Sequence, residues 1–173
     1  FYNYLGYDFK NLGLHELNLR TSPSELINFR AEFEWGKDLS YNETIPMPGK
    51  LISTSFSLRF QLSNNLSMTP SYRSSKLKKS SDEYYFNGSI SRLRFNYQFN
   101  NFLNIRLIAE NNSFNEKFFI QPLIQWNPNP STIFYFGGNQ RTVDFVDNEF
   151  SRPELLDFNR SQFFLKFQYL IGI

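Results

Sequence analysis

Hydrophobic and polar positions take turns along most of this chain, one residue at a time. Between 91 and 99, Ser91, Leu93, Phe95, Tyr97 and Phe99 alternate with Arg92, Arg94, Asn96 and Gln98. Residues 26 to 35 repeat the pattern, with Ile27, Phe29, Ala31, Phe33 and Trp35 on one side and Asn28, Arg30, Glu32 and Glu34 on the other. Residues 52 to 62 set Ile52, Thr54, Phe56, Leu58, Phe60 and Leu62 against Ser53, Ser55, Ser57, Arg59 and Gln61. A period of two sends successive side chains to opposite faces of a strand. Weaker alternation predicts strands at 103–109 and 118–126, and others fall near 12–20, 66–76, 131–139 and 161–173, which makes nine. Each is about the nine to eleven residues that a tilted strand needs to cross a bilayer.

The connections carry a second signal. Short ones at Thr21 to Glu25, Ser63 to Asn65, Asn100 to Asn101 and Asn127 to Pro130 alternate with longer ones at 36–50, 77–84, 110–116 and 140–160. Transmembrane β-barrels join their strands by short periplasmic turns and longer outer loops, an order that a soluble sandwich has no reason to keep. The expected fold is therefore all-β, an antiparallel transmembrane β-barrel of about nine to ten strands in this chain. With the last strand entering from an outer loop and ending in a periplasmic C-terminus, Trp35 falls at the outer boundary. Phe60, Phe99, Trp126 and Tyr169 fall near the inner one, where interfacial girdles place amphipathic rings. Nine strands would leave the N-terminus outside, whereas complete bacterial barrels have an even number. Phe1 to Tyr7 is thus expected to be a tenth strand or the tail of one, or else residues 1–173 are the C-terminal segment of a larger barrel, the preferred reading.

Composition sharpens this picture. Aromatic residues make up 19% of the chain, from 21 Phe, 10 Tyr and 2 Trp, and they alternate with Ser, Asn, Gln, Arg and Lys instead of gathering into runs. Apolar stretches stay far short of the roughly 18 to 20 residues of a membrane-spanning helix. A mean hydropathy of -0.46 fits a barrel whose lumen-facing half is polar. With no Cys there is no disulfide, thiolate metal site or thiol nucleophile. Phe1 to Lys10 has no basic start followed by an apolar core, so no signal peptide is expected within it. The net charge of +2 is spread along the chain and gives no support to nucleic-acid binding. Arg73, Lys76, Lys78 and Lys79, beside Ser80, Ser81, Asp82 and Glu83, read as a solvated loop, with lipid-headgroup or partner contact as the alternative.

At the C-terminal end Phe163, Leu165, Phe167, Tyr169, Ile171 and Ile173 alternate with Gln162, Phe164, Lys166, Gln168, Leu170 and Gly172. This resembles the signal by which assembly machinery recognises outer-membrane barrels, except that the usual last residue is Phe or Trp. In residues 85–173 the order SRLRFNYQFNNFLNIRLIAENNSFN, PLIQWNPNPSTIFYFGGNQ and NRSQFFLKFQYL resembles the closing strands of a Bacteroidota outer-membrane β-barrel family of unknown function. Pro130, Thr132, Phe134, Gly137, Asn159, Arg160, Phe164, Lys166 and Tyr169 are its most specific positions. Members carry an N-terminal, carbohydrate-binding-like β-sandwich that is missing from this sequence. The resemblance carries no catalytic residues with it.

Little in the chain suggests chemistry. His15 is the single histidine, and Leu14, Glu16 and Leu17 around it make it a strand residue. Arg30, Glu32, Arg59, Arg92, Arg94, Arg106 and Lys166 occupy polar faces and are expected to face a lumen, since a charge facing lipid costs about 2–4 kcal/mol for Arg or Lys at the midplane. Asp144, Asp147, Glu149, Glu154 and Asp157 make the last loop acidic without a known calcium spacing. No catalytic, cofactor or metal site is expected. The reading is an integral protein of the cell outer membrane, acting as a channel, an uptake component or a scaffold subunit of an envelope complex. Its expected partners are outer-membrane lipid, the barrel assembly machinery and other outer-membrane proteins, not nucleic acid. A barrel enzyme and a soluble β-sandwich binding module remain as alternatives.

Overall fold

The computed structural model describes residues 2–41, 46–143 and 160–171. Its main element is one antiparallel sheet of nine strands in strictly sequential order. These are β3 (Gly13–Ser24), β4 (Ile27–Leu39), β5 (Pro48–Ser63), β6 (Leu66–Lys78), β7 (Tyr84–Gln98), β8 (Leu103–Asn112), β9 (Lys117–Asn129), β10 (Thr132–Val143) and β11 (Arg160–Tyr169). Ahead of them β1 (Tyr2–Tyr4) and β2 (Tyr7–Phe9) pair only with each other. No helix occurs among the described residues. The sheet is not closed: β3 and β11 each have a hydrogen-bonded neighbour on one side only.

All nine strands stand where the alternation puts them, but their ends differ from the sequence reading. The connection expected over 36–50 contracts to 40–47 because Lys37, Asp38 and Leu39 pair with Lys50, Gly49 and Pro48. Likewise 77–84 contracts to 79–83 and 110–116 to 113–116, while most of 140–160 lies outside the described residues. Phe99 stands just past β7, not within it. The Asn100 side chain accepts hydrogen bonds from the Phe102 and Leu103 amides, each at 2.8 Å, and this local turn stops the strand at Gln98. Nor do residues 2–7 form a tenth strand of the wall. Leu5 at φ 52° and Gly6 at φ 81° reverse the chain after three residues and fold it onto Tyr7–Phe9.

Register fixes which side chains share a face, because residues directly opposite across an antiparallel pair point the same way. One row runs Ile27, Phe60, Met68, Phe95, Leu107 and Pro122 through β4 to β9. The row of opposite facing runs Arg20, Arg30, Ser57, Ser71, Arg92, Glu110 and Phe119 through β3 to β9. The apolar row is also staggered: Ile27 opens β4, whereas Pro122 stands seven places before Asn129, where β9 ends. Between β4 and β9 the strands therefore slide past one another by a net seven places.

Few hydrophobic side chains are buried. Leu39, Leu51 and Leu77 are the buried hydrophobic residues among those described. Phe33, Trp35, Phe56, Leu93, Leu107, Trp126, Phe136, Leu165 and Phe167 are exposed on the apolar face. Across the sheet from them, Glu34, Ser53, Ser55 and Ser57 are half-buried and Glu110 is buried. No second layer covers the apolar face among the described residues.

Gly36 governs how β3 meets β4. It adopts φ 150°, and a Cβ built there would lie 2.1 Å from the Gly13 carbonyl oxygen. Gly36→Ala is expected to cost about 1–2 kcal/mol of strain and to free the Gly13 end of β3. Amide hydrogen exchange should show lost protection at 13–16 while β6–β9 stay unchanged; unaltered exchange in β3 would count against this.

Candidate functional site

Polar side chains from every strand of the main sheet gather on one face. Arg30, Glu32, Arg59, Arg92, Arg94, Arg106 and Lys166 all stand on it, opposite Ser57, Ser55, Asn28, Glu110, Thr69, Asn96 and Tyr135 respectively. Charges are segregated. Glu16 faces Glu34, and Arg20 faces Arg30. Like charges directly opposite are unfavourable, so these residues do not neutralise one another along their rungs. Ser53, Ser55 and Ser57 of β5 face Ser75, Arg73 and Ser71 of β6, which places a mostly uncharged hydroxyl strip between the β3–β4 charges and the arginines of β7 and β8.

The one ion pair on this face among the described residues joins Arg92 to Glu110 across β7 and β8. Glu110 is 5% exposed, so the guanidinium supplies the main compensation for removing that carboxylate from water. Arg94 and Arg106 make no ion pair with described residues, and the Lys166 ammonium lies 5.7 Å from the Tyr135 ring centre. Basic groups outnumber acidic ones here, so the face attracts anions more than cations.

On the other face the rings form stacks. Trp126 lies 5.3 Å from Phe134, and Phe134 lies 5.1 Å from Phe167. Phe33 and Trp35 are 5.1 Å apart. Among the girdle candidates Trp35, Phe60, Trp126 and Tyr169 share the apolar face, but not one row. Phe60 stands in the row of Pro122, four places along β9 from Trp126, so a boundary that follows these rings crosses the sheet obliquely. Phe163, Leu165, Phe167 and Tyr169 oppose Gly138, Phe136, Phe134 and Thr132 on this same face. Ile171 is exposed beyond the strand, and Ile173 lies outside the described residues.

His15 stacks on Trp35 at 5.5 Å on the apolar face, turned away from the carboxylates of the sheet. No group of three metal-ligating side chains comes together among the described residues. The acidic positions Asp144, Asp147, Glu149, Glu154 and Asp157 lie outside them.

Register divides the basic cluster that looks continuous in sequence. Arg73 joins the polar face opposite Ser55, whereas Lys76 and Lys78 join the apolar one opposite Ile52 and Lys50. Lys37 opposes Lys50, so Lys37, Lys50 and Lys78 form a single rung near the end of β4 and β6 and the start of β5. Sequence reasoning missed Lys37 and Lys50, although each continues its strand's apolar series by one step of two. Beside them Lys78 pairs with Asp82 at 2.7 Å, and this hydrogen bond holds the Asp82 carboxyl below its ordinary pKa. At the same rim Tyr4 meets Tyr41 edge-on at 5.2 Å. Desolvation, with the nearby Asp38 carboxylate, pushes the Tyr41 hydroxyl up to about 12.

Comparison of the chain with family models, with curated proteins and with solved structures finds no match.

Proposed function

We propose that this chain forms a wall of an outer-membrane β-barrel, acting as a channel, an uptake component or a scaffold subunit of an envelope complex. One observation carries the reading: large apolar side chains stand exposed along one face of nine consecutive strands, with no second layer over them among the described residues. Burying a Leu or Phe side chain is worth about 1.5–3 kcal/mol, and in water this sheet would forgo that gain along its whole length. Against lipid tails the same face needs no cover. The polar face then lines the interior, where side chains of both signs meet water or one another. The net stagger supports the reading as well, since closing a barrel requires tilted and sheared strands.

In this reading the strand ends at 25–26, 64–65 and 130–131 face the periplasm and the loops at 40–47 and 79–83 face outward. The resemblance of residues 85–173 to a Bacteroidota barrel family agrees with such a placement. Lipid and the assembly machinery are its first partners.

Single cysteines give the test. Cysteines at Phe95, Leu107 and Phe167 should react with a lipid-phase thiol reagent, and cysteines at Arg94, Arg106 and Lys166 with a membrane-impermeant one. The reverse assignment would overturn the facing. Release of the wild-type protein from cells without detergent would favour a soluble sandwich instead. An epitope tag at Ser81 should be reachable on intact cells, and access only after permeabilisation would invert the topology.

A further inference from the structure

Three ladder rungs at the outer end of β4–β6 present a pattern that the wall itself does not need. Trp35 and Ile52 are apolar, as is the rest of their face; the next residues on that same face are Lys37 and Lys50, with Lys76 and Lys78 alongside. Lys37, Lys50 and Lys78 stand directly opposite one another, an arrangement that repels unless an anion lies among them. Asp82 engages Lys78 and Glu83 engages Lys79, but Lys37, Lys50 and Lys76 make no ion pair with described residues. Lys37, Lys50, Lys78, Lys79, Ser80 and Asp82 line a recess of about 330 Å³, in which the single carboxylate is outnumbered by four ammonium groups.

We propose that Lys37, Lys50, Lys76 and Lys78 seat the phosphate groups of an anionic lipid whose acyl chains lie against the apolar face beneath them. The inference rests on the membrane reading above and adds a ligand to it. Two features select a lipid over a free anion. The ammonium groups project from the apolar face, not from the polar one, and aromatic and aliphatic side chains, Trp35, Phe33, Ile52 and Phe56, continue directly below them on β4 and β5. A phosphate on acyl chains satisfies both halves at once. Lysine suits the role because its ammonium is a point charge on a flexible stem that adjusts to a mobile headgroup.

The test uses the full chain purified in nonionic detergent, with bisphosphorylated lipid A and the same lipid A after enzymatic removal of its phosphates as probes. Wild-type protein is expected to bind the phosphorylated form at least about tenfold more tightly, since each of the four lysines contributes on the order of a few-fold toward anionic lipid. That preference should shrink at high salt. In the fourfold variant Lys37→Gln, Lys50→Gln, Lys76→Gln, Lys78→Gln it should vanish, whereas Lys117→Gln, on the polar face of β9 opposite Asn112, should keep it. Equal binding of the two probes by wild type, or a preference that survives in the fourfold variant, overturns the proposal. Displacement of lipid A by millimolar inorganic phosphate would reduce the row to a soluble-anion site and also overturn it. Heat-modifiable migration of the wild type reports the barrel separately: its absence alongside a phosphate preference would sink the wall reading and leave the lysine row standing.

Discussion

Leu107→Arg is expected to keep the chain out of the membrane fraction. Leu107 stands at the middle of β8 on the apolar face, between Phe95 of β7 and Pro122 of β9, and is 41% exposed. An Arg facing lipid at that depth costs about 2–4 kcal/mol, a large share of a total stability that is ordinarily about 5–15 kcal/mol. Arg106, one residue earlier, faces the other way, opposite Asn96 and Leu123. Arg106→Leu should therefore insert. Folding into vesicles and heat-modifiable migration would distinguish the two variants. Normal insertion of Leu107→Arg together with failure of Arg106→Leu would show that the faces are assigned backwards.

Arg92→Leu should be the most damaging single change on the polar face. It leaves the Glu110 carboxylate, 5% exposed, without its partner. Removing one member of a buried pair costs about 3–5 kcal/mol, and the lower end applies because the Arg92 side chain is 44% exposed. The double variant Arg92→Leu, Glu110→Leu removes the stranded charge and should recover most of that loss. Urea unfolding from lipid vesicles measures both. If single and double variants unfold at the same midpoint, the pair is not what stabilises this part of the sheet.

The strands were legible in the sequence because their period-two signal is strong and their turns are chemically marked. Asn100 shows this well: its side chain makes the turn that a polar pair between two apolar runs predicts. Strand ends on the loop side were less legible. Beyond Trp35 and before Ile52 the apolar series passes into Lys37 and Lys50, so hydropathy reads loop, whereas pairing of the two backbones carries the ladder on to Leu39 and Pro48. For the same reason the lysine row escaped notice, since its members come from three strands and only register brings them together. The polar face was the easier half. Arg92 and Glu110 lie 18 residues apart and could be put on one face by counting, but that they form a pair depends on the β7–β8 register. The β1–β2 hairpin gave no alternating run long enough to separate a turn from a strand, because Leu5 reverses the chain at a positive φ that its residue type does not advertise.

The stagger of the apolar row sets an angle. Seven residues gained over the five steps from β4 to β9, at about 3.4 Å per residue and about 4.8 Å per step, incline the strands by about 45° to the axis of any cylinder that they wrap. At that inclination the 13 residues of β4 climb about 31 Å, a few ångströms more than the roughly 25 Å apolar band of an outer-membrane barrel. In the proposed outer-membrane setting that surplus would emerge into the headgroup layer. Lys37, ten residues on from Ile27, climbs about 24 Å of that height, so the slant of the strands brings its ammonium to the edge of the band.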